Sequence, residues 1–285
     1  MRSTSVEFYH FSGSGNTLLV AEAMAAAFRR RGVPVAGRRM ENGFAGIEPG
    51  QCLGLAATVA YFSTYPFVWR FLESLPPSPR TSDGAGVEVF YAGTMGGFAG
   101  GAVGSIRKIL TGKGYRPVGA KGFLMPSNYH NVAIDRAAND RLASKARADA
   151  EAFADDIAEG RASWGRIPVV SDLVASLSRR GWGPRGFRKK FRLFFDRAKC
   201  VNCGLCAELC PIGNISLDPD GTPQMGDRCE YCQRCVSFCP EHAIGIPGRT
   251  HQQDRSVPLE AVRSGTLEAI RSGTLGLPDK GGDAR

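Results

Sequence analysis

The sequence predicts an α/β fold in which a doubly wound parallel sheet is followed by a small α+β module rich in cysteine. Two observations support this prediction: the first 160 residues alternate short apolar runs with amphipathic stretches, and eight of the nine cysteines fall within residues 200–239. The order β-α-β-α implies parallel strands with helices on both faces and a ligand at the carboxyl ends of the strands. We expect an α/β domain over 1–160, a basic connector over 161–195, the cysteine module over 196–255 and a C-terminal tail over 256–285.

The strand candidates are short runs that are rich in Val, Phe, Tyr and Leu and are bounded by Gly, Ser and Pro. They are residues 5–11, 33–38, 52–62, 87–92 and 121–125. The helix candidates between them carry apolar residues at spacings of three and four. They are residues 17–31, 66–75, 101–111 and 133–159.

Composition and charge narrow the functional classes. No apolar run approaches the roughly 18 residues of a membrane span, and the first residues lack the order of a signal peptide, so we expect a cytoplasmic protein. The net charge of +9 is concentrated in residues 161–199, which hold 11 basic and 2 acidic residues. Clustered cysteines in a reducing compartment indicate a metal site in preference to disulfides.

Two copies of one cysteine spacing, Cys-x2-Cys-x2-Cys-x3-Cys-Pro, lie in tandem and are typical of chains that wrap cubane clusters. In this pattern three thiolates of one motif hold one cluster, and the fourth crosses to the other. Cluster one is therefore predicted to bind Cys200, Cys203, Cys206 and Cys239, and cluster two to bind Cys210, Cys229, Cys232 and Cys235.

Zinc is the alternative for such a set of thiols. Zinc sites with four thiolates are built from two separated pairs of cysteines, and they require neither a third cysteine two residues on nor a fourth followed by proline. The tandem repeat therefore favours two [4Fe–4S] clusters. Cys52 lies outside both motifs, and we interpret it as a small buried hydrophobic residue.

A segment rich in glycine and serine joins the first predicted strand to the first helix. It consists of Ser12, Gly13, Ser14, Gly15, Asn16 and Thr17. Because glycine lets the backbone bend, and amides at a helix N-terminus and hydroxyls are donors, the segment is predicted to bind a phosphate monoester. It lacks the lysine of a Walker loop and the third glycine of a dinucleotide fingerprint. The alternative is a turn that only caps the helix.

This segment resembles the phosphate signature of flavodoxins, Ser/Thr-x-Ser/Thr-Gly-x-Thr, and matches it at Ser12, Ser14, Gly15 and Thr17. The resemblance implies FMN, whose phosphate flavodoxins hold without a basic side chain. Two later loops should then contact the isoalloxazine ring, because they follow the third and fourth strands. Their residues are Tyr61, Phe62, Ser63 and Thr64 in the first loop and Thr94, Met95, Gly96 and Gly97 in the second. Aromatic rings at a strand end are as often part of the core as ligands.

The cysteine module resembles bacterial two-cluster ferredoxins, which implies one-electron transfer at each cluster. Over residues 5–255 the chain is similar to bacterial and archaeal fusion proteins that join a flavodoxin-like domain to such a ferredoxin. This wider resemblance runs through residues 11–17, 61–66, 94–97, 125–129 and 200–240, including Asn214 and Ile215. Val59 departs from it, because such proteins commonly have proline there.

The function predicted from these features is an electron-transfer iron–sulfur flavoprotein that relays electrons between two [4Fe–4S] clusters and FMN, coupling one- and two-electron partners. The first alternative is a flavin-dependent reductase of a small substrate with the clusters as its electron supply. The second is a protein with structural or sensory clusters and an empty α/β domain. Redox proteins are the expected partners, and no motif for reading nucleic acid accompanies the charges.

The basic connector contains a run, residues 187–195, that would place aromatic residues on one face of a helix and basic residues on the other. It could dock an acidic partner or a membrane surface, or its aromatic residues could simply seat the connector between the two domains, which we favour. We expect the last twenty or so residues to be weakly ordered.

Overall fold

The first domain is a five-stranded parallel sheet. The computed structural model describes residues 3–60, 63–97, 101–126, 135–165, 193–246 and 256–267. Its strands are β1 Ser5–His10, β2 Val35–Arg39, β3 Gln51–Thr58, β4 Glu88–Met95 and β5 Arg116–Leu124. They lie in the order β2-β1-β3-β4-β5, and all neighbours are parallel. This is the flavodoxin-like order, with its topological switch point between β1 and β3, so the predicted fold class is confirmed.

Helices cover both faces of this sheet. They are α1 Asn16–Arg30, α2 Pro66–Ser74, α3 Ala102–Gly112 and α4 Arg136–Ala158. Successive residues of a strand point to opposite faces. Accordingly, Phe8 of β1 is buried in the core with α1 and α4, whereas Tyr9 is buried in the core with α2 and α3. The two cores fix the sheet between two helical layers and leave the carboxyl ends of the strands for a ligand.

Strand β4 is longer than the sequence pattern predicts. It continues past Ala92 because β5 keeps pairing with it, matching Thr94 with Phe123 and Met95 with Leu124. Thr94 and Met95 therefore lie within the strand and not in the loop after it, which corrects the prediction. Gly96 and Gly97 follow the strand end and are exposed.

Over the described residues 193–246, the end of the connector and the cysteine module form two short helices and two small antiparallel sheets. The helices are α5 Leu205–Glu208 and α6 Arg234–Phe238. The strands are β6 Phe194–Phe195, β7 Ile215–Leu217, β8 Pro223–Met225 and β9 Ile244–Gly245, paired as β6 with β9 and β7 with β8.

The predicted helix over 187–195 is wrong at its C-terminal end. Phe194 and Phe195 form strand β6, which pairs with Gly245 and Ile244. Phe194 packs so closely on Gly245 that a Cβ there would lie 2.7 Å from the phenyl ring. This long-range contact overrides the helical spacing. The basic residues of this run, Arg188, Lys189, Lys190 and Arg192, lie outside the described residues.

Residues 256–267, which we call the C-terminal strap, return to the first domain. The strap contains helix α7 Leu259–Ser264, and its Val257 and Leu267 are buried in the core that holds α1. Leu267 packs on Gly37 of β2, and His10 Nε2 lies 2.9 Å from the Gly265 carbonyl oxygen. The first part of the predicted tail therefore completes the α/β domain, whereas residues 268–285 lie outside the described residues. No helix in the described ranges is long and apolar enough to cross a bilayer.

Candidate functional site

Four cysteines from both motifs line the first of two cavities in the cysteine module. This cavity of about 350 Å³, cavity one, is lined by Cys200, Cys203, Cys206 and Cys239 together with apolar side chains. Cys239 reaches it from the second motif, where it follows helix α6. The structure thus brings together the four thiols assigned from the sequence to cluster one.

The second cavity, cavity two, has a volume of about 390 Å³ that includes space open to solvent, and its cysteines again come from both motifs. Its thiols are Cys229, Cys232 and Cys235 of the second motif and Cys210 of the first, and Leu193, Ile212 and Ile215 add apolar lining. In the described part of the chain no three His, Cys, Asp or Glu side chains are placed to share a single metal ion. A cubane makes no such demand, because each of its thiolates binds a different iron.

The chemistry of these thiols fits iron–sulfur clusters. Burial raises the pKa of Cys206 to about 11 and that of Cys232 to about 12, so a bound cation would be needed to ionise them. Backbone amides already donate to two of the sulfurs. The Asn214 amide nitrogen lies 3.2 Å from the Cys210 Sγ, and the Ala243 amide nitrogen lies 3.2 Å from the Cys239 Sγ. Such donors stabilise thiolate ligands.

The backbone of the second motif repeats that of the first with an offset of 29 residues. Positive φ angles occur at Asn202, Gly204 and Gly213 and again at Tyr231, Gln233 and His242. In each motif these turns aim successive cysteines into the cavity. The cysteine spacing predicted that the two motifs share one backbone course. It gave no sign that Gln233 and His242 would adopt the left-handed conformation that Gly204 and Gly213 adopt in the first motif.

The phosphate loop, residues 12–17, begins helix α1 at the switch point. Gly15 caps the helix with a φ of 105°, no side chain caps it, and its first turn contains no acidic residue. The first intrahelical bond runs from the Leu19 amide to the Gly15 carbonyl, so the amides of the preceding turn point out of the helix. Free amides at a positive helix end fit a phosphate monoester.

The hydroxyls of this loop are already organised. Ser12 Oγ accepts a hydrogen bond from the Gly15 amide at 3.1 Å. Thr17 Oγ1 lies 2.7 Å from Thr94 Oγ1 and 3.1 Å from Thr58 Oγ1, so three hydroxyls from the ends of α1, β3 and β4 meet. Thr58 was not predicted as a site residue, since nothing in the local sequence marks the strand end on which it lies.

The loops predicted to contact the isoalloxazine ring are only partly described. Tyr61 and Phe62 lie outside the described residues. Ser63 and Thr64 are buried and hold the loop internally: Ser63 Oγ accepts from Trp69 Nε1 at 3.1 Å, and Thr64 Oγ1 donates to the Thr58 carbonyl at 2.9 Å. Their side chains therefore shape the loop, while Gly96 and Gly97 form an exposed rim.

The peptide between the cysteines of motif two packs directly on the first domain. A Cβ at Gly13 of the phosphate loop would lie 2.4 Å from the Cys232 carbonyl oxygen, so only glycine fits. Glu230 Oε2 accepts from the Phe67 amide at 2.7 Å at the N-terminus of α2, and its Oε1 bonds Arg70 at 2.8 Å. Cavity two is therefore the one that adjoins the phosphate loop.

Arg234, which lies between Cys232 and Cys235, joins the second cysteine motif to the first domain by three contacts. Its Nε donates to the Ser12 carbonyl at 2.9 Å, and its guanidinium lies 4.6 Å from the centre of the Phe11 ring. Its Nη1 pairs with Glu41 Oε1 at 2.6 Å, and the side chains of Arg234 and Glu41 are only 4% and 7% exposed. Local sequence patterns give no signal for this pair, because its members are 193 residues apart.

The strap approaches the phosphate loop from another side. A Cβ at Gly15 would lie 2.6 Å from Val257 Cγ2, and the Ser256 amide donates to the Ser14 carbonyl at 3.2 Å. Ser256 Oγ also bonds the Asn16 side chain, whose Nδ2 donates to the Pro126 carbonyl at 2.9 Å. Residues far from the loop in sequence thus fix its shape.

Comparisons by sequence and comparisons by structure find two different groups of known proteins. A family described as "4Fe-4S dicluster domain" matches residues 199–243. Pyruvate synthase subunit PorD of Methanocaldococcus jannaschii is 38% identical over 60 residues, which are 21% of this chain and 70% of that protein. An uncharacterized ferredoxin of the same organism is 36% identical over 58 residues, which are 19% of this chain and 75% of that protein.

Solved flavodoxins align with about half of the chain. A flavodoxin from the domain Archaea has a TM-score of 0.38 at 13% identity, covering 54% of this chain and 99% of that one. Flavodoxin 2 from Bacillus cereus has a TM-score of 0.40 at 16% identity, covering 54% and 98%. The strand order given above, and not these alignments, defines the fold of the first domain. Through residues 199–243 the chain belongs to the two-cluster [4Fe–4S] ferredoxin family, and in it this ferredoxin module is joined to a flavodoxin-like domain.

Proposed function

We propose that this protein is an electron carrier in which two [4Fe–4S] clusters, held in cavities one and two, exchange electrons with FMN held at the phosphate loop. When bound, the clusters would exchange single electrons and the flavin one or two, which couples one-electron to two-electron partners. The chain's own residues hold these groups at fixed positions relative to each other.

The observation that carries this proposal is the contact between motif two and the phosphate loop. The Cys232 carbonyl packs on Gly13, and Arg234 donates to the Ser12 carbonyl. A cluster ligand and a phosphate-loop glycine are therefore in van der Waals contact, and Glu230 holds the same peptide against α2. This geometry supports a relay in which cavity two faces the flavin.

Cavity one holds the one exposed cysteine of the two motifs. Cys203 is exposed, and Val201 and Leu217 beside it are 61% and 44% exposed. Exposed apolar side chains next to a redox centre are typical of a surface that docks a partner. We therefore propose that redox partner proteins exchange electrons with the chain at cavity one, so that electrons reach the flavin through cavity two.

Cofactor content tests the proposal. Protein purified anaerobically should contain about eight irons, eight sulfides and one FMN per chain. Stoichiometric zinc, or a visible spectrum that dithionite does not bleach, would contradict the iron–sulfur assignment. Failure of the anaerobic protein to bind FMN would contradict the flavin assignment and leave the ferredoxin module standing.

The order of the relay is tested by a matched pair of variants. Cys229→Ala removes a ligand from cavity two, and Cys200→Ala removes the corresponding ligand from cavity one. A small photoreductant, unlike a partner protein, can reduce either cluster directly, so after a short flash reduction of the flavin should be much slower in Cys229→Ala than in Cys200→Ala. The opposite order, or equal rates, would contradict the placement of cavity two next to the flavin.

A further inference from the structure

The two cysteine motifs differ at a position where the backbone demands glycine-like geometry. Gly204 has a φ of 75° in motif one, and its counterpart Gln233 has a φ of 61° in motif two. A left-handed conformation is costly for a residue with a Cβ. His242 also replaces a glycine, Gly213, at such a position, but its side chain is exposed. Gln233 therefore has a strained backbone and a buried side chain, whereas His242 has a strained backbone and an exposed side chain.

The side chain of Gln233 is buried without partners. The residue is 4% exposed, and neither Nε2 nor Oε1 has a hydrogen-bond partner in the described structure. Burying an amide in this way is unfavourable, so nearly all such groups in proteins are paired. Gln233 lines cavity two together with its four cysteines. The unpaired amide therefore belongs to a residue that borders the space that the proposed function assigns to a cluster.

We propose that Gln233 sets the reduction potential of cluster two by donating its Nε2–H group to a sulfur of that cluster, an inference that rests on the proposed function. The reduced cluster carries one more negative charge than the oxidised one, and a hydrogen-bond donor stabilises the more negative form. Gly204 offers cluster one no such donor. The added donor raises the potential of cluster two, and the electron is held at the cavity that adjoins the phosphate loop.

Two substitutions separate the side chain from the backbone. Gln233→Leu keeps the Cβ and the burial but removes the donor. Gln233→Gly reproduces the geometry of Gly204, relieves the strain and also removes the donor. His242→Gly is the matched control, because it relieves the same kind of strain at an exposed position of the same motif.

The measurement is a redox titration of both clusters, followed by electron paramagnetic resonance on anaerobic protein with its iron, sulfide and flavin quantified. Both Gln233 variants should shift the reduction equilibrium of cluster two by about tenfold toward the oxidised form, which is about 60 mV lower for a one-electron couple. Cluster one should keep its potential in all variants, and His242→Gly should change neither.

Three results would overturn this inference. An unchanged cluster-two potential in Gln233→Leu would exclude the hydrogen bond, and an equal shift in His242→Gly would assign the effect to the backbone. Loss of FMN with an unchanged potential would assign the amide to the flavin. Unmodified protein that contains no second cluster would overturn the proposed function itself, which the iron count distinguishes from the other outcomes.

Discussion

The buried ion pair between Arg234 and Glu41 should dominate the attachment of the cysteine module. Both side chains are more than nine-tenths buried, with 2.6 Å between Nη1 and Oε1. Removing one member of a buried pair leaves an uncompensated charge and costs about 3–5 kcal/mol. Glu41→Ala should therefore lower the free energy of unfolding by about that amount, because the Arg234 guanidinium would stay buried among Ser12, Leu209 and Phe11.

The matched control is Glu208→Ala. Glu208 also joins two distant segments, since both of its oxygens bond Arg263 of the strap at 2.8 Å, but the two side chains are 48% and 40% exposed. Exposed pairs contribute about 0–1 kcal/mol, so this variant should lose no more than that.

Equilibrium unfolding in urea under anaerobic conditions, followed by near-ultraviolet circular dichroism and by cluster absorption, measures both losses. The double variant Glu41→Ala with Arg234→Met completes the test. Arg234→Met should cost less in the Glu41→Ala background than in the unmodified protein, with a coupling energy of about 0.5–3 kcal/mol. Equal losses in the two glutamate variants, or an additive double variant, would refute the reasoning.

Three further predictions concern single residues. Cys210→Ala should damage cluster two and spare cluster one, because Cys210 lines cavity two; paramagnetic spectra that lose cluster one instead would contradict this. Thr17→Val should weaken FMN binding about ten- to a hundredfold at unchanged iron content, since it removes a hydroxyl from the phosphate loop. Flavin fluorescence titration measures this, and equal affinity of the unmodified protein for FMN and riboflavin would contradict it. Burial lowers the pKa of His10 from 6.5 to about 4, so as the pH falls the unfolded chain binds the proton first. Unfolding free energy should therefore fall by about 1.4 kcal/mol per pH unit between pH 6.5 and 4, and His10→Gln, which keeps a donor for Gly265, should remove this slope in urea unfolding curves.

Local sequence patterns predicted those features that depend on local geometry. Cysteine spacing marks the thiols that the structure gathers into cavities one and two, because a short turn fixes where successive side chains point. The shape of the phosphate loop, residues 12–17, was predictable for the same reason, because a strand, a glycine turn and a helix follow each other there without a gap. The alternation of strands and helices predicted the parallel sheet and its two helical layers.

Features that depend on distant contacts were not predictable from one sequence. Thr94 and Met95 belong to β4 because β5 continues beside them, and Phe194 is extended because Gly245 leaves room for its ring. The strap contains no strong pattern of its own and is ordered by contacts with Gly15 and Gly37. The pairing of Arg234 with Glu41 likewise leaves no local trace, because each residue alone is an ordinary charged side chain.

The strap has a consequence for how the chain is made. The α/β domain ends near residue 160, but Val257 and Leu267 complete its core, so about a hundred residues must follow before that core can close. At a synthesis rate of about 5–20 residues per second, this delay is roughly 5–20 seconds. During that interval the ribosome synthesises the cysteine module, while part of the core of the α/β domain stays uncovered. Closure of the first core therefore follows the synthesis of both cysteine motifs, because it depends on residues that lie beyond them in the chain.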